Sequence, residues 1–338
     1  MKDARGWNAL AVLGLMASLA FLGSGCMSLR TSLRKLLVVE VKPKQETARR
    51  YATEIPVRPR AEVRNGVPSE PGEKGGEDEE LSVYQKLVVL RPEDPLVRFH
   101  LGRAYLERGL LDQAIFELDM ATSLDPRQAE GFLLLGRALR LKGQYDLAIA
   151  KLRAATVLDP NYVEAFIELG ICWDQRGFYE RARRAYQHAL RLRPKDPDIY
   201  NNLGVSYLYE GDVERALKHL KKAWELDPTN PQTNNNLALI AARRRQYDLA
   251  FEYFARAHGA AIAHSNVGYL LLREGELEKA IAHLREAVRL RPNSLRALAH
   301  LESALRLSGR VAEAEQVHAQ YVKAQAAEAL SSVPPPNR

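Results

Sequence analysis

The side chains able to do chemistry in this 338-residue chain are few and far apart. Its two cysteines, Cys26 and Cys172, are too few for a disulfide scaffold or a four-thiolate zinc site. Cys172 lies within an apolar helical stretch and reads as a small buried hydrophobe. The eight histidines are scattered. His258 and His264 stand near each other, but no carboxylate or thiol accompanies them at ligand spacing. No serine sits in a nucleophile elbow, and no glycine cluster joins a strand to a helix to cradle phosphate. Asp and Glu read as solvated helix faces and helix-end charges. The sequence therefore predicts no enzyme, no catalytic residue, no cofactor, no metal and no small-molecule substrate. The group that does recur is the amide: Asn202 and Asn236 at one spacing, Asn201 and Asn235 beside them, and Asn266 beyond. An amide offers both a donor and an acceptor, so it can pair with a peptide unit whatever that unit's side chain.

Composition sets the background. Hydrophobic residues at 46% and charged residues at 27% are ordinary for a folded chain. The formal net charge of +7 invites a nucleic-acid reading, which requires the charge to be gathered on a patch. Here Lys and Arg alternate with Asp and Glu along the whole chain, so the basic excess reads as solvated surface and no nucleic-acid partner is expected.

Lys2 and Arg5 precede an apolar run from Ala9 to Leu22, followed by Gly23, Ser24, Gly25 and Cys26. A charged start, a short apolar stretch and small residues make a secretory signal over 1–26. Small residues ending at a cysteine resemble the lipobox of bacterial lipoproteins, in which the cysteine becomes the acylated mature N-terminus. Gly23 stands where that pattern has leucine, with Leu22 one residue further back. The resemblance implies lipidation at Cys26 and a membrane-anchored protein of the bacterial cell envelope, facing the periplasm. Ordinary cleavage with secretion remains open, as does an uncleaved inner-membrane anchor from Trp7 to Leu29, long enough to span a bilayer. Residues 27–79 are broken by Pro43, Pro56, Pro59, Pro68 and Pro71 and by Gly72, Gly75 and Gly76. Such a segment cannot bury enough apolar surface to offset its ordering entropy and reads as a flexible linker.

From there the pattern changes. Pro126, Pro160, Pro194 and Pro228 follow one another at a constant step of 34 residues. Aligned on them are Gly102, Gly136, Gly170 and Gly204; Ala114, Ala148, Ala182 and Ala216; and Ala121, Ala155, Ala189 and Ala223. Gly109, Gly143, Gly177 and Gly211 mark a turn between two helices. This spacing resembles the tetratricopeptide repeat, which implies an all-α solenoid of helix–turn–helix units wound as a right-handed superhelix. The array is predicted over 80–328: a half repeat at 80–94, then repeats 95–128, 129–162, 163–196, 197–230, a short repeat 231–260, repeat 261–294 and a capping unit 295–328. The tail 329–338 is predicted to be disordered. In the short repeat Arg245 replaces the turn glycine and no proline follows, so the stack should bend or tighten near His258 to His264.

The resemblance also places a partner. Stacked helix pairs enclose a concave groove lined by the first helices. At the sixth position, next to the inward-facing ones, three successive units have Asn202, Asn236 and Asn266, similar to the asparagine ladder of O-linked N-acetylglucosamine transferase, where amides grip an extended peptide. Asn201, Asn235, Tyr209, Tyr269, Arg243 and Arg273 would line the groove beside them. Arg103, Arg137 and Arg140 would make its early part basic and suited to acidic segments. The function so implied is a non-catalytic scaffold that binds proteins or extended peptides at an envelope membrane, similar to the repeat lipoproteins that assist pilus and secretin assembly. An accessory substrate-binding subunit of an envelope glycosyltransferase or protease is the other reading.

Overall fold

The computed structural model describes residues 74–331, with side chains over 79–328, all within the unit Thr47–Arg338. The signal or anchor over 1–26, Cys26, most of the 27–79 segment and the end of the tail lie outside the described residues.

Among the described residues the chain is entirely helical in its regular structure. A lone helix α1 (Lys74–Leu90) precedes pairs of a first and a second helix. These are α2 (Pro95–Glu107) with α3 (Leu111–Leu124), α4 (Ala129–Leu141) with α5 (Tyr145–Leu158), and α6 (Val163–Gln175) with α7 (Tyr179–Leu192). Then come α8 (Pro197–Glu210) with α9 (Val213–Leu226), α10 (Pro231–Arg243) with α11 (Tyr247–His258), α12 (Ala260–Arg273) with α13 (Leu277–Leu290), and α14 (Leu295–Leu307) with α15 (Val311–Ser331). Two boundaries differ from the sequence reading. α1 begins at Lys74, inside the segment assigned to the linker, and α15 runs to Ser331, inside the segment assigned to the tail. No described helix is long and apolar enough to cross a membrane.

Local chemistry starts and stops these helices. Asp94 before Pro95 and Asp196 before Pro197 accept from the next free backbone amides, and Asn230 does so before Pro231. Gly109, Gly143, Gly177 and Gly211 take positive φ between 71° and 90° to turn the chain from first to second helix. In the short repeat Arg245 makes the same turn with φ 59°, the one non-glycine residue at positive φ among those described.

Within a repeat the closest approach is between the eighth-position glycine and a large side chain on the second helix. A Cβ at Gly136 would stand 2.5 Å from Leu152, at Gly204 2.6 Å from Leu220, and at Gly170 2.4 Å from the Tyr186 ring. The small residue is therefore demanded by the opposing side chain, while Ala148 and Ala216 bring their backbone carbonyls close on the same side. Core residues such as Leu118, Leu152, Leu220 and Leu284 are wholly buried in this seam. In the last unit Glu302 and His318 occupy the two positions and hydrogen-bond at 3.0 Å. That pair suits the half-exposed end of an array.

Successive repeats are stapled by charge. An acid at the start of a second helix meets a base at the end of the next first helix: Asp112 with Lys142, Asp146 with Arg176 at 2.9 Å, and Glu214 with Arg244 at 2.5 Å. Glu180 and Glu210 would put two acids together at the junction of the third and fourth repeats. Arg183, nearly buried, bonds Glu210 at 2.9 Å and Glu180 at 3.1 Å and so relieves the repulsion.

First helices also touch the first helices of the neighbouring repeats, α2 with α4, α4 with α6, α6 with α8, α8 with α10 and α12 with α14. Second helices make no comparable contact with one another. A stack that is closer along one edge than the other curves toward that edge, so the first helices line its inner face. The series is interrupted once. α11 and α12 are joined by Gly259 alone, which serves as C-cap of one and N-cap of the other, with φ 84° and ψ 162°. α12 packs tightly on α11 there, and α10 and α12 approach each other less than the other neighbouring first helices do.

A candidate peptide-binding groove

The inner face is built by the first helices, and the structure places every candidate groove residue on one of them. It separates these candidates into two kinds. Asn202 on α8, Asn235 on α10 and Asn266 on α12 are half-buried and reach solvent. Asn201 and Asn236 are 5% and 4% exposed, and the Asn236 Nδ2 donates to the Asn201 Oδ1 at 2.9 Å. The Thr233 hydroxyl donates to the same oxygen at 3.5 Å. The sixth-position amide of the fifth repeat is thus spent on joining two repeats. The predicted ladder of Asn202, Asn236 and Asn266 is corrected accordingly: the solvent-reaching amides are Asn202, Asn235 and Asn266, and the Gly259 joint lies between the last two.

The basic early groove needs a second correction. Arg140 is 9% exposed and its Nε donates to Glu168 Oε2 at 2.5 Å, while the Arg137 Nε donates to Oε1 at 2.8 Å. Glu168 stands at the sixth position, where later repeats have asparagine, and its carboxylate takes up both guanidinium groups. These arginines therefore present far less charge to a ligand than their number implies. Arg103 keeps more freedom: it is half-buried, 3.9 Å from Glu107, and lies over the Phe99 ring at 5.9 Å.

The two candidate tyrosines pack against neighbouring rings. Tyr209 stacks on Tyr179 with ring centroids 6.3 Å apart, and burial pushes its hydroxyl up to about 12. Tyr269 stacks on His300 at 4.6 Å, and the Arg273 guanidinium lies 6.0 Å over the Tyr269 ring. Arg243 and Arg273 are exposed at the ends of their helices. Amides, tyrosine faces and arginine heads along one face can hydrogen-bond a peptide backbone and cover its apolar side chains.

Sequence reasoning missed two polar features because each depends on partners from different helices. One is Asp174 on α6, 7% exposed, which accepts from Tyr186 of α7 at 2.9 Å and from Ser206 of α8 at 2.7 Å. The other is His283, which faces His264 across the sixth repeat. The signal for both was the repeat register: Asp174 and Ser206, like Asn201 and Asn236, are inner-edge residues of adjacent first helices. His264 and His283 share the within-repeat spacing of Arg98 and Glu117.

The comparisons with known proteins concern the repeat fold. The model of the cilia and flagella-associated protein 70 C-terminal domain matches residues 40–269, and a tetratricopeptide repeat model matches residues 261–294. No curated protein matches the chain. Among solved structures, the Cut9–Hcn1 hetero-tetramer of the APC/C is similar at 23% identity and TM-score 0.54, over 69% of this chain and 47% of that one. That likeness shows a shared fold. MamA is similar at 29% identity and TM-score 0.44, over 46% of this chain and 91% of its own. PilF of Pseudomonas aeruginosa is similar at 24% identity and TM-score 0.47, over 66% and 96%. The chain belongs to the tetratricopeptide-repeat proteins, in the family of the cilia and flagella-associated protein 70 C-terminal domain.

Proposed function

We propose that this tetratricopeptide-repeat chain is a non-catalytic scaffold that holds partner proteins, through extended peptide segments, in the groove of its first helices. The observation that carries the reading is the set of solvent-reaching amides Asn202, Asn235 and Asn266 on the first helices α8, α10 and α12, of which α8 and α10 meet along the inner edge. Each can pair with a peptide unit, and Tyr209, Tyr269, Arg243 and Arg273 lie on the same helices to contact side chains. We further propose that the scaffold works at a bacterial envelope membrane, held there by lipid on Cys26 and assisting assembly of an envelope structure such as a pilus. Support for that part is the order of export signal, tether and repeats in the sequence.

The test is crosslinking in the native envelope with the wild-type chain and with the triple variant Asn202→Ala, Asn235→Ala, Asn266→Ala. Loss of the same captured partners in the triple variant, with unchanged melting, supports the groove. Undiminished capture removes it. Recovery of one envelope enzyme with its substrates would favour the accessory-subunit reading over assembly. Radiolabelled fatty acid should mark the wild-type chain and leave Cys26→Ala unmarked.

A further inference from the structure

His264 occupies the fourth position of the sixth repeat. In three other repeats that position donates to the carbonyl of the proline in the preceding loop. Arg98 Nε reaches Pro92 at 2.5 Å, Tyr200 Oη reaches Pro194 at 3.3 Å and Asn234 Nδ2 reaches Pro228 at 2.8 Å. The sixth repeat has no such loop, because Gly259 alone joins α11 to α12. His264 reaches across its own repeat to His283 of α13, with Nδ1 to Nδ1 at 3.1 Å. The same crossing carries Arg98 with Glu117 in the first repeat and Tyr200 with His219 in the fourth. Phe251 of α11 covers the pair, its ring centroid 4.5 Å from that of His264 and 6.4 Å from that of His283.

We propose that His264 and His283 form a two-imidazole site for a late first-row divalent metal ion such as Zn2+ or Cu2+. At metal–nitrogen distances of about 2.0–2.1 Å, two imidazoles on neighbouring corners of one ion stand about 2.9–3.4 Å apart. The observed 3.1 Å lies inside that span. Both residues sit on packed helices of one repeat, so the separation is held by the seam in which Gly268 meets Leu284 rather than by a loop. Both are half-buried. Burial lowers the proton affinity of each ring, which favours the neutral form with its lone pair. Without metal, one Nδ1–H donates to the other ring. On binding, the donor ring changes tautomer, its proton passing from Nδ1 to Nε2, so the ion meets two Nδ1 lone pairs and no proton need be released. Asp248 and Glu286 lend negative charge to His283 and His264 respectively, with Arg289 tied to Glu286 at 2.6 Å and 2.8 Å. Two protein nitrogens with water in the remaining positions suit imidazole-loving metals, with Cu2+ bound more tightly than Zn2+. The described residues hold no cluster of three or more such ligands, so the site depends on this pair.

The full chain, stripped with chelator, should bind one Zn2+ in a calorimetric titration at pH 7.5. His264→Phe and His283→Phe should each weaken that binding by roughly tenfold or more, and His258→Phe should leave it unchanged. No binding, or equal binding by all four proteins, overturns the proposal. Should either variant fail to fold, the unaltered chain loaded with one Cu2+ decides the matter by electron paramagnetic resonance. Two equatorial imidazole nitrogens support the site, and one or none overturns it.

Discussion

The Tyr186 hydroxyl donates to Asp174 Oδ2 at 2.9 Å inside the seam of the third repeat, where the first, second, fourth and sixth repeats have leucine against glycine. A tyrosine there brings a hydroxyl into the core and requires an acceptor. Asp174 provides it, and its other oxygen accepts from Ser206 of the next repeat at 2.7 Å. One buried carboxyl thus couples two repeats through its polar contacts, beside the Arg183 that bridges Glu180 and Glu210.

That coupling is pH-dependent. Burial raises the Asp174 carboxyl to about 7, against the opposing pull of the Ser206 and Tyr186 hydrogen bonds and of Arg183. Between about 3.9 and about 7 the folded chain keeps a proton that the unfolded chain has released. Stability therefore falls as pH rises through that window, by a total on the order of 4 kcal/mol at most, and the penalty is absent below it. Thermal scans from pH 5 to pH 8 should show a falling melting temperature in the wild type and a flatter profile in Asp174→Asn. Identical slopes would mean that Asp174 is ionised throughout.

The turn and seam positions predict opposite signs. Gly136→Ala forces a Cβ to within 2.5 Å of Leu152 and should cost about 1–3 kcal/mol. Arg245 holds φ 59° with an exposed ion pair to Glu274 at 3.3 Å. Arg245→Gly relieves about 1–2 kcal/mol of backbone strain, offset in part by the freer unfolded chain and the lost pair, and should stabilise by about 0.5–1 kcal/mol. Urea unfolding of the variants measures both.

The amides separate structure from binding. Asn236→Ala leaves the buried Asn201 carbonyl oxygen without its amide donor and should destabilise by about 1–3 kcal/mol. Asn202→Ala and Asn266→Ala, whose side chains reach solvent, should stay within about 0.5 kcal/mol of wild type. A reversal of that order in chemical denaturation would return Asn236 to the groove.

Glu168 is tested by removal. Glu168→Ala strands Arg140 at 9% exposure beside Arg137 and should cost about 3–5 kcal/mol. Peptides ending in a free carboxylate should then bind near α4 more tightly than they bind the wild type, because the fork is vacated. Fluorescence anisotropy with an acidic peptide reads that gain.

The sequence by itself determined the helices, their pairing and their order. Gly136, Ala148 and Ala155 are required where two backbones approach, and Pro126 and Pro160 where one unit ends, so local sterics write the repeat directly into residue type and spacing. It also marked the short fifth repeat, from the missing proline and from Arg245 in a glycine's place. Only the tertiary structure decided which polar side chains face the groove and which face a neighbour. Asn236 and Asn202 are alike in repeat position, yet one is bonded to Asn201 and the other reaches solvent. Arg137 and Arg140 read as groove charge until Glu168 is found between them, and His264 acquires His283 because the fold sets this position of the first helix against the second helix of the same repeat, as it does Arg98 and Glu117. A hydrogen bond or ion pair depends on distances of a few tenths of an ångström between different helices, and residue spacing fixes the helix a side chain stands on without fixing the partner it meets across the seam.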